Sequence, residues 1–296
     1  MCRPSQHCWN GPAATRIKHP RLCRSTLTDS LGRVTSARHP YVGVQGPTAF
    51  AHRGGAREST ENSITAFKKA AAIGYTYFET DVRATSDGQV MVFHDGTLNR
   101  VTDRVGRISA LPYAEVKKAR MGGKDRILKL EDLLEAMPDA KFNIDIKDDH
   151  TLAPFCDLVE RLDVLDRICV ASFSAGRLRT VRHRFGAAVA TSLGPPEVAG
   201  LIAASRLGPL RRLASLTFPS DAVAVQVPER QNFVPIVTDA FISEAHDRGI
   251  AVHVWTVDDE GDMHRLLDMG VDGVITDRPT LLRDVLESRG QWPAPA

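Results

Sequence analysis

Two histidines, an arginine and several acids crowd one stretch of the chain, as His52-Arg53-Gly54-Gly55, Glu61-Asn62, Glu79-Thr80-Asp81 and His94-Asp95. An imidazole titrates near neutral pH, which makes His52 and His94 candidates for a general base and a general acid. Glu79 and Asp81 stand two apart, so on a strand they share a face and can aim oxygens at one hard cation. Asp145-Ile146-Lys147 repeats that spacing later in the chain. Three carboxylates, completed by water and a phosphate oxygen, would satisfy Mg²⁺ or Ca²⁺. Arg53 can pair bidentately with phosphate oxygens, and Lys147 adds a point charge to the same anion. The set suits metal-assisted attack on a phosphate ester. The plainer alternatives are surface ion pairs for the acids and for Arg53, and structural roles for the histidines. Against them, the flanking runs Thr48-Ala49-Phe50-Ala51 and Val90-Met91-Val92-Phe93 are apolar, and acids on buried strands need a partner.

The elements that must carry these residues alternate regularly. Strands are expected at 48–52, 76–82, 90–94, 141–147, 167–173, 188–193, 222–227, 250–256 and 272–276, and helices near 61–73, 130–137, 151–162, 176–184, 196–206, 238–248, 259–268 and 279–288. Such β-then-α alternation implies parallel strands joined by crossover helices, an α/β chain of the (β/α)8 barrel type, whose sites sit at strand ends. Nine candidates for eight staves leave one strand off the barrel, and 188–193 or 222–227 is the expected odd one. Asp87-Gly88 makes a tight turn that returns His94 close to Asp81. Residues 97–128 are longer and more polar than an ordinary connection, and read as a small insertion after the third strand that overhangs the barrel mouth.

Composition bounds the rest. With 296 residues, 43% hydrophobic and 25% charged, the chain has room for one large catalytic domain. Residues 1–46 hold seven Lys/Arg and one acid, leaving 31 basic against 35 acidic residues elsewhere. The folded part is mildly acidic, which argues against nucleic acid as a partner. No apolar run approaches the roughly 18 residues that span a bilayer, and no secretory signal is visible. Five cysteines, an odd number, fit a reducing compartment, so a cytoplasmic location is expected. Residues 1–46 read as a disordered extension, either a transit peptide or an upstream extension of the chain, with Val34 an alternative start. Cys2, Cys8 and Cys23 with His7 and His19 match no zinc-ligand spacing. Residues 47–290 form the barrel and 291–296 a short tail. Oligomeric state is not written in the sequence.

The ordered motifs His52-Arg53-Gly54, Glu61-Asn62, Glu79-Thr80-Asp81, Asp87-Gly88, Val92-Phe93-His94-Asp95, Asp145-Ile146-Lys147, Ser172-Phe173, Trp255-Thr256-Val257 and Asp272-Gly273-Val274-Ile275-Thr276-Asp277-Arg278-Pro279 together resemble the glycerophosphodiester phosphodiesterases, from about residue 48 to 284. The resemblance implies a TIM-type barrel of the phospholipase-C-like kind. It also implies that Glu79, Asp81 and Asp145 hold the metal, that His52 and His94 are the acid/base pair, and that Arg53 and Lys147 contact phosphate. Trp255 would line the pocket, Glu61 would ligate or orient, and Asn62 would bind phosphate or cap the helix. Asp145 stands where many members carry Glu, one methylene longer, and Thr60 replaces a proline.

The expected reaction is hydrolysis of a glycerophosphodiester, a small-molecule substrate, to sn-glycerol 3-phosphate and an alcohol. The nucleophile is water or the substrate's own 2-hydroxyl. A second reading is lysophospholipase D action on a lipid, with Val198 to Leu216 and its arginines Arg206, Arg211 and Arg212 at a membrane surface. A third is a catalytically silent barrel that binds phosphodiesters.

Overall fold

The computed structural model describes residues 27–28, 34–35, 39–42, 46–207 and 222–292. The tail cysteines and histidines, Arg211, Arg212, Leu216 and residues 293–296 lie outside them. The chain divides into two units, residues 1–38 and 39–296. In the first, Leu27–Thr28 pairs antiparallel with Val34–Thr35.

The second unit is a closed barrel. Its strands are β1 (Thr48–His52), β2 (Tyr77–Ala84), β3 (Val90–Val92), β4 (Lys141–Ile146), β5 (Ile168–Ala171), β6 (Ala190–Ser192), β7 (Ala222–Pro228), β8 (Ala251–Trp255) and β9 (Gly273–Thr276). Hydrogen bonding runs in the order β1-β9-β8-β7-β6-β5-β4-β2, and β1 pairs with β2 to close the ring. Every pairing in the ring is parallel. Helices α1 (Ile64–Ala72), α2 (Leu130–Ala136), α3 (Asp149–Leu162), α4 (Ala175–Phe185), α5 (Pro195–Arg206), α6 (Asp239–His246), α7 (Glu260–Asp268) and α8 (Pro279–Ser288) follow the staves. This is the expected (β/α)8 barrel, with one correction. Both 188–193 and 222–227 contribute staves, as β6 and β7, and the strand off the barrel is β3. It pairs antiparallel with the upper end of β2, Val82 opposite Val92. The physical reason is loop length, because a parallel partner needs a crossover of about a dozen residues or more, and the turn at Asp87-Gly88 is too short to provide one.

Alternation along the staves separates two packing layers. From β2 and β4, Phe78, Phe142 and Ile144 face outward into the helix layer, where Phe67 of α1 meets Phe78 and Phe142 edge-on at 5.9 and 6.0 Å. The alternate residues Tyr77, Glu79, Asp81, Asn143 and Asp145 face inward. Both faces of these strands are buried, so the polar groups of the inward face are held dry. The floor of the barrel is closed by Tyr41, in a helical turn at Pro40–Val42. Its ring is fully buried, 5.5 Å from that of Tyr77, and its carbonyl accepts from the Tyr77 hydroxyl at 2.6 Å. The compact unit that contains the barrel runs from His39.

The insertion between β3 and α2 has its own core of Met91, Phe93, Leu98, Ile108, Val116, Ala119, Met121 and Ile127. That core ties it to β3 as a firm ledge above the ends of β2. Among the described residues no helix is long and apolar enough to cross a membrane.

Candidate active site

The strand ends open into one cavity of about 440 Å³. His52, Arg53, Glu79, Asp81, His94, Asp145 and Lys147 line it, together with Trp255. The structure therefore gathers most of the sequence-predicted site, and register explains how. His52 lies beside Glu79, and Asp81 beside Asp145, so β1, β2 and β4 present these groups to the same interior.

After His52 the chain turns sharply, with Arg53, Gly54 and Gly55 all at positive φ. Glycine is required at the last two: a Cβ on Gly54 would lie 2.8 Å from Ala66 Cβ, and one on Gly55 2.7 Å from Pro279. The turn lays Arg53 along the acids. Its Nε is 3.0 Å from Asp81 Oδ2, a charge contact whose N–H is not aligned as a hydrogen bond, and Nη1 donates to Glu61 at 3.2 Å.

Each histidine is held by an aspartate through the same nitrogen. His52 Nδ1 is 2.6 Å from Asp277 Oδ1, and His94 Nδ1 is 2.6 Å from Asp95 Oδ1. A carboxylate on Nδ1 fixes the tautomer and leaves Nε2 for the cavity. Asp277 is anchored in turn, its backbone N–H donating to Asp258 at 2.8 Å. Asp95 is held by Arg100 of the insertion, which donates to it at 2.6 Å and also grips Glu61 at 2.7 and 2.9 Å. One exposed guanidinium thereby couples the partner of His94 to the partner of Arg53.

The acids are almost dry. Glu79, Asp81 and Asp145 are 7%, 1% and 6% exposed. Burial, then repulsion from Asp81, pushes the Glu79 carboxyl up to about 7. Burial also raises Asp145, against the pull of Lys147. For Asp81 burial acts upward, but Lys147 and Arg53 outweigh it and hold the carboxyl below its usual range. Burial lowers His52, and Glu79 at 3.6 Å together with Asp277 more than reverses that, so its pKa is raised. Lys147 Nζ bridges the two aspartates, 2.8 Å from Asp81 and 2.7 Å from Asp145.

Three buried carboxylates are the donor chemistry of a hard divalent cation, and Asp145 Oδ1 is buried with no hydrogen-bond partner. As the side chains stand, no three such groups among the described residues converge as a ready chelate, and the lysine takes the space between the aspartates. The donor set fits a metal once the ammonium releases that bridge.

Two predicted residues stand back from the cavity. Asn62 is 1% exposed and positive in φ, donating to Asp81 Oδ2 at 3.3 Å while accepting from the Thr80 hydroxyl at 2.8 Å. It does not cap α1; Ser63 does, accepting from the Ala66 N–H. Glu61 is gripped by Arg53 and Arg100. Both residues contact Arg53 or Asp81 without lining the cavity. A third inward histidine, His253, is fully enclosed against Phe50 at 4.8 Å, and burial lowers it to about 4, so it is a neutral core residue.

The sequence model of the Glycerophosphoryl diester phosphodiesterase family matches residues 52–281. The chain belongs to this family. A protein of Mycobacterium tuberculosis named Probable glycerophosphodiester phosphodiesterase 2 is 41% identical over 248 residues, covering 83% of this chain and 93% of that one. Lysophospholipase D GDPD1 of Homo sapiens is 29% identical over 270 residues, covering 81% and 86%. The fold is shared with an Oleispira antarctica phosphodiesterase solved in complex with the product sn-glycerol-3-phosphate, at a TM-score of 0.65 and 21% identity over 82% of this chain and 97% of that one. The chain is thus a phosphoric diester hydrolase with glycerophosphodiester phosphodiesterase activity, and the silent-barrel reading is set aside. The contacts above add three residues to the candidate site that sequence reasoning did not assign: Asp95, Arg100 and Asp277. Asp95 and Asp277 lay inside the quoted motifs, so their signal was present; Arg100, in the polar insertion, had none beyond its charge.

Proposed function

We propose that the enzyme hydrolyses glycerophosphodiesters to sn-glycerol 3-phosphate and an alcohol by acid/base catalysis from His52 and His94. The observation that carries this reading is the pair of 2.6 Å Nδ1–carboxylate contacts, which turn two imidazole Nε2 atoms toward one cavity beside Arg53 and Lys147. One histidine takes the proton of the nucleophile and the other protonates the leaving alkoxide oxygen. Arg53 and Lys147 neutralise charge that builds on the phosphoryl oxygens. Trp255 and Phe173, edge to face at 6.0 Å, give the carbon skeleton an apolar wall at the cavity mouth. A divalent cation, Mg²⁺ or Ca²⁺, would be held by Glu79, Asp81 and Asp145 and would act as a Lewis acid on the phosphate. Its binding is expected to free Lys147 from the aspartates. A cytoplasmic location is proposed from cysteine usage, which includes buried free thiols at Cys156 and Cys169.

The test is glycerol 3-phosphate release from glycerophosphocholine with added Mg²⁺ or Ca²⁺ and again in EDTA. The reading predicts release that EDTA reduces by about 10³-fold or more, and equal rates in both would overturn the metal's part.

One observation favours a second substrate. Leu193, Val198, Ala199, Ile202 and Ile236 make the side of the cavity nearest α5 apolar, which would suit the chain of a lysophospholipid. Release of free choline from lysophosphatidylcholine at a rate comparable with glycerophosphocholine would support it.

A further inference from the structure

Deep in the cavity, two amides face each other across the barrel. Asn143 on β4 is 2% exposed and donates from Nδ2 to Gln226 Oε1 on β7 at 3.1 Å. That single bond leaves Asn143 Oδ1 and Gln226 Nε2 buried with no partner, although both residues line the cavity. Exchanging N and O in both amides changes nothing essential, because the pair again keeps one bond and leaves one donor and one acceptor. Buried amides are ordinarily satisfied, so the floor presents an unmet donor and acceptor side by side.

We propose that Asn143 and Gln226 form the subsite that recognises the two adjacent hydroxyls of the substrate's glycerol. The inference rests on the glycerophosphodiesterase reading above. A vicinal diol offers what the amides lack, since each hydroxyl donates one hydrogen bond and accepts others. Asn143 precedes Asp145 by two residues on the same inward face, about 7 Å deeper along the strand, so the floor is set off from the phosphate-facing groups by roughly the length of a short polyol. Both amides are neutral, and each keeps one group without a hydrogen-bond partner, with Glu79 beside Asn143 in register. A polyol, which can meet both groups, therefore suits the floor better than choline, whose quaternary ammonium makes no hydrogen bond and is directed to the mouth beside Phe173 and Trp255. An acyl ester on the glycerol would remove one of the two hydroxyls, so the amides favour the deacylated diester.

The test compares choline release from sn-glycerol-3-phosphocholine and from propylphosphocholine, which has the same leaving group but no hydroxyls. Sites built to bond a hydroxyl discriminate strongly against its absence, and wild-type kcat/KM should favour the glycerol diester by about 100-fold or more. Gln226→Leu and Asn143→Leu should each bring that preference to within about fivefold. Gln226 is the less buried of the two and guards against a folding defect at Asn143, and thermal melting checks both. Equal wild-type turnover of the two diesters would overturn the proposal, as would variants that keep the preference or lose both activities in proportion. No release from glycerophosphocholine by the wild type would refute the parent reading itself.

Discussion

The two histidine–aspartate pairs have the same contact distance and opposite surroundings. His52 ends a barrel strand, its side chain 16% exposed, and its partner Asp277 is pinned by Asp258. His94 sits on the ledge beyond β3, 35% exposed, and its partner is held by Arg100, itself half exposed. The same chemical unit is thus fixed once by the barrel and once by a surface guanidinium. One of the two proposed catalytic groups is built into the core, and the other depends on how the insertion is fastened. An imidazole without its carboxylate loses its tautomer and orientation, but only the exposed ring can recruit water in its place. Asp277→Asn is accordingly expected to lower kcat about 10³-fold and Asp95→Asn about 30-fold, from steady-state rates on glycerophosphocholine. Equal losses would erase the distinction.

That asymmetry was only half legible in the sequence. The β/α alternation and the inward set Glu79, Asp81 and Asp145 could be read because period-two spacing fixes which side chains share a face. Pairing could not be read from spacing: His52 and Asp277 are 225 residues apart, and only closure of β9 onto β1 brings them together. Strand β3 is countable, yet its direction depends on the length of one turn, so strand count alone does not mark it as the one off the barrel. In the sequence Asn62 is a candidate for phosphate binding or for the helix cap, a position asparagine favours. The neighbouring Ser63 took the role, and Asn62 turned to Asp81.

The fastening of the ledge can be tested at Arg100. Its hydrogen bonds, ahead of His94, hold the Asp95 carboxyl at about 2. In Arg100→Ala that carboxyl should rise toward its usual 3.8, followed by carboxyl NMR, with kcat lowered about tenfold and binding of substrate changed less. Arg100→Lys should recover part of the loss. An unmoved Asp95 titration would show that the ledge is held by its apolar core alone.

The barrel side carries the smaller and more physical signature. The Glu79 carboxyl is raised from 4.5 to about 7 by burial and by Asp81. The folded state therefore keeps a proton that the unfolded state has released. Its contribution to stability is complete below pH 4.5 and is lost as pH rises through about 7. In EDTA, the melting temperature of the wild type should fall by a few degrees between pH 5 and pH 8, and Glu79→Gln should flatten that slope. A slope unchanged by the substitution would place the titrating group elsewhere.

The central claim is that both histidines act on one reaction in one cavity. Groups that work as a unit are strongly non-additive when removed. The decisive measurement is kcat on glycerophosphocholine for His52→Ala, His94→Ala and the double variant, each with an unchanged circular dichroism spectrum. Each single variant should lose about 10³-fold or more and lie within about tenfold of the double. A single variant near wild-type rate, or losses that simply multiply, would contradict it.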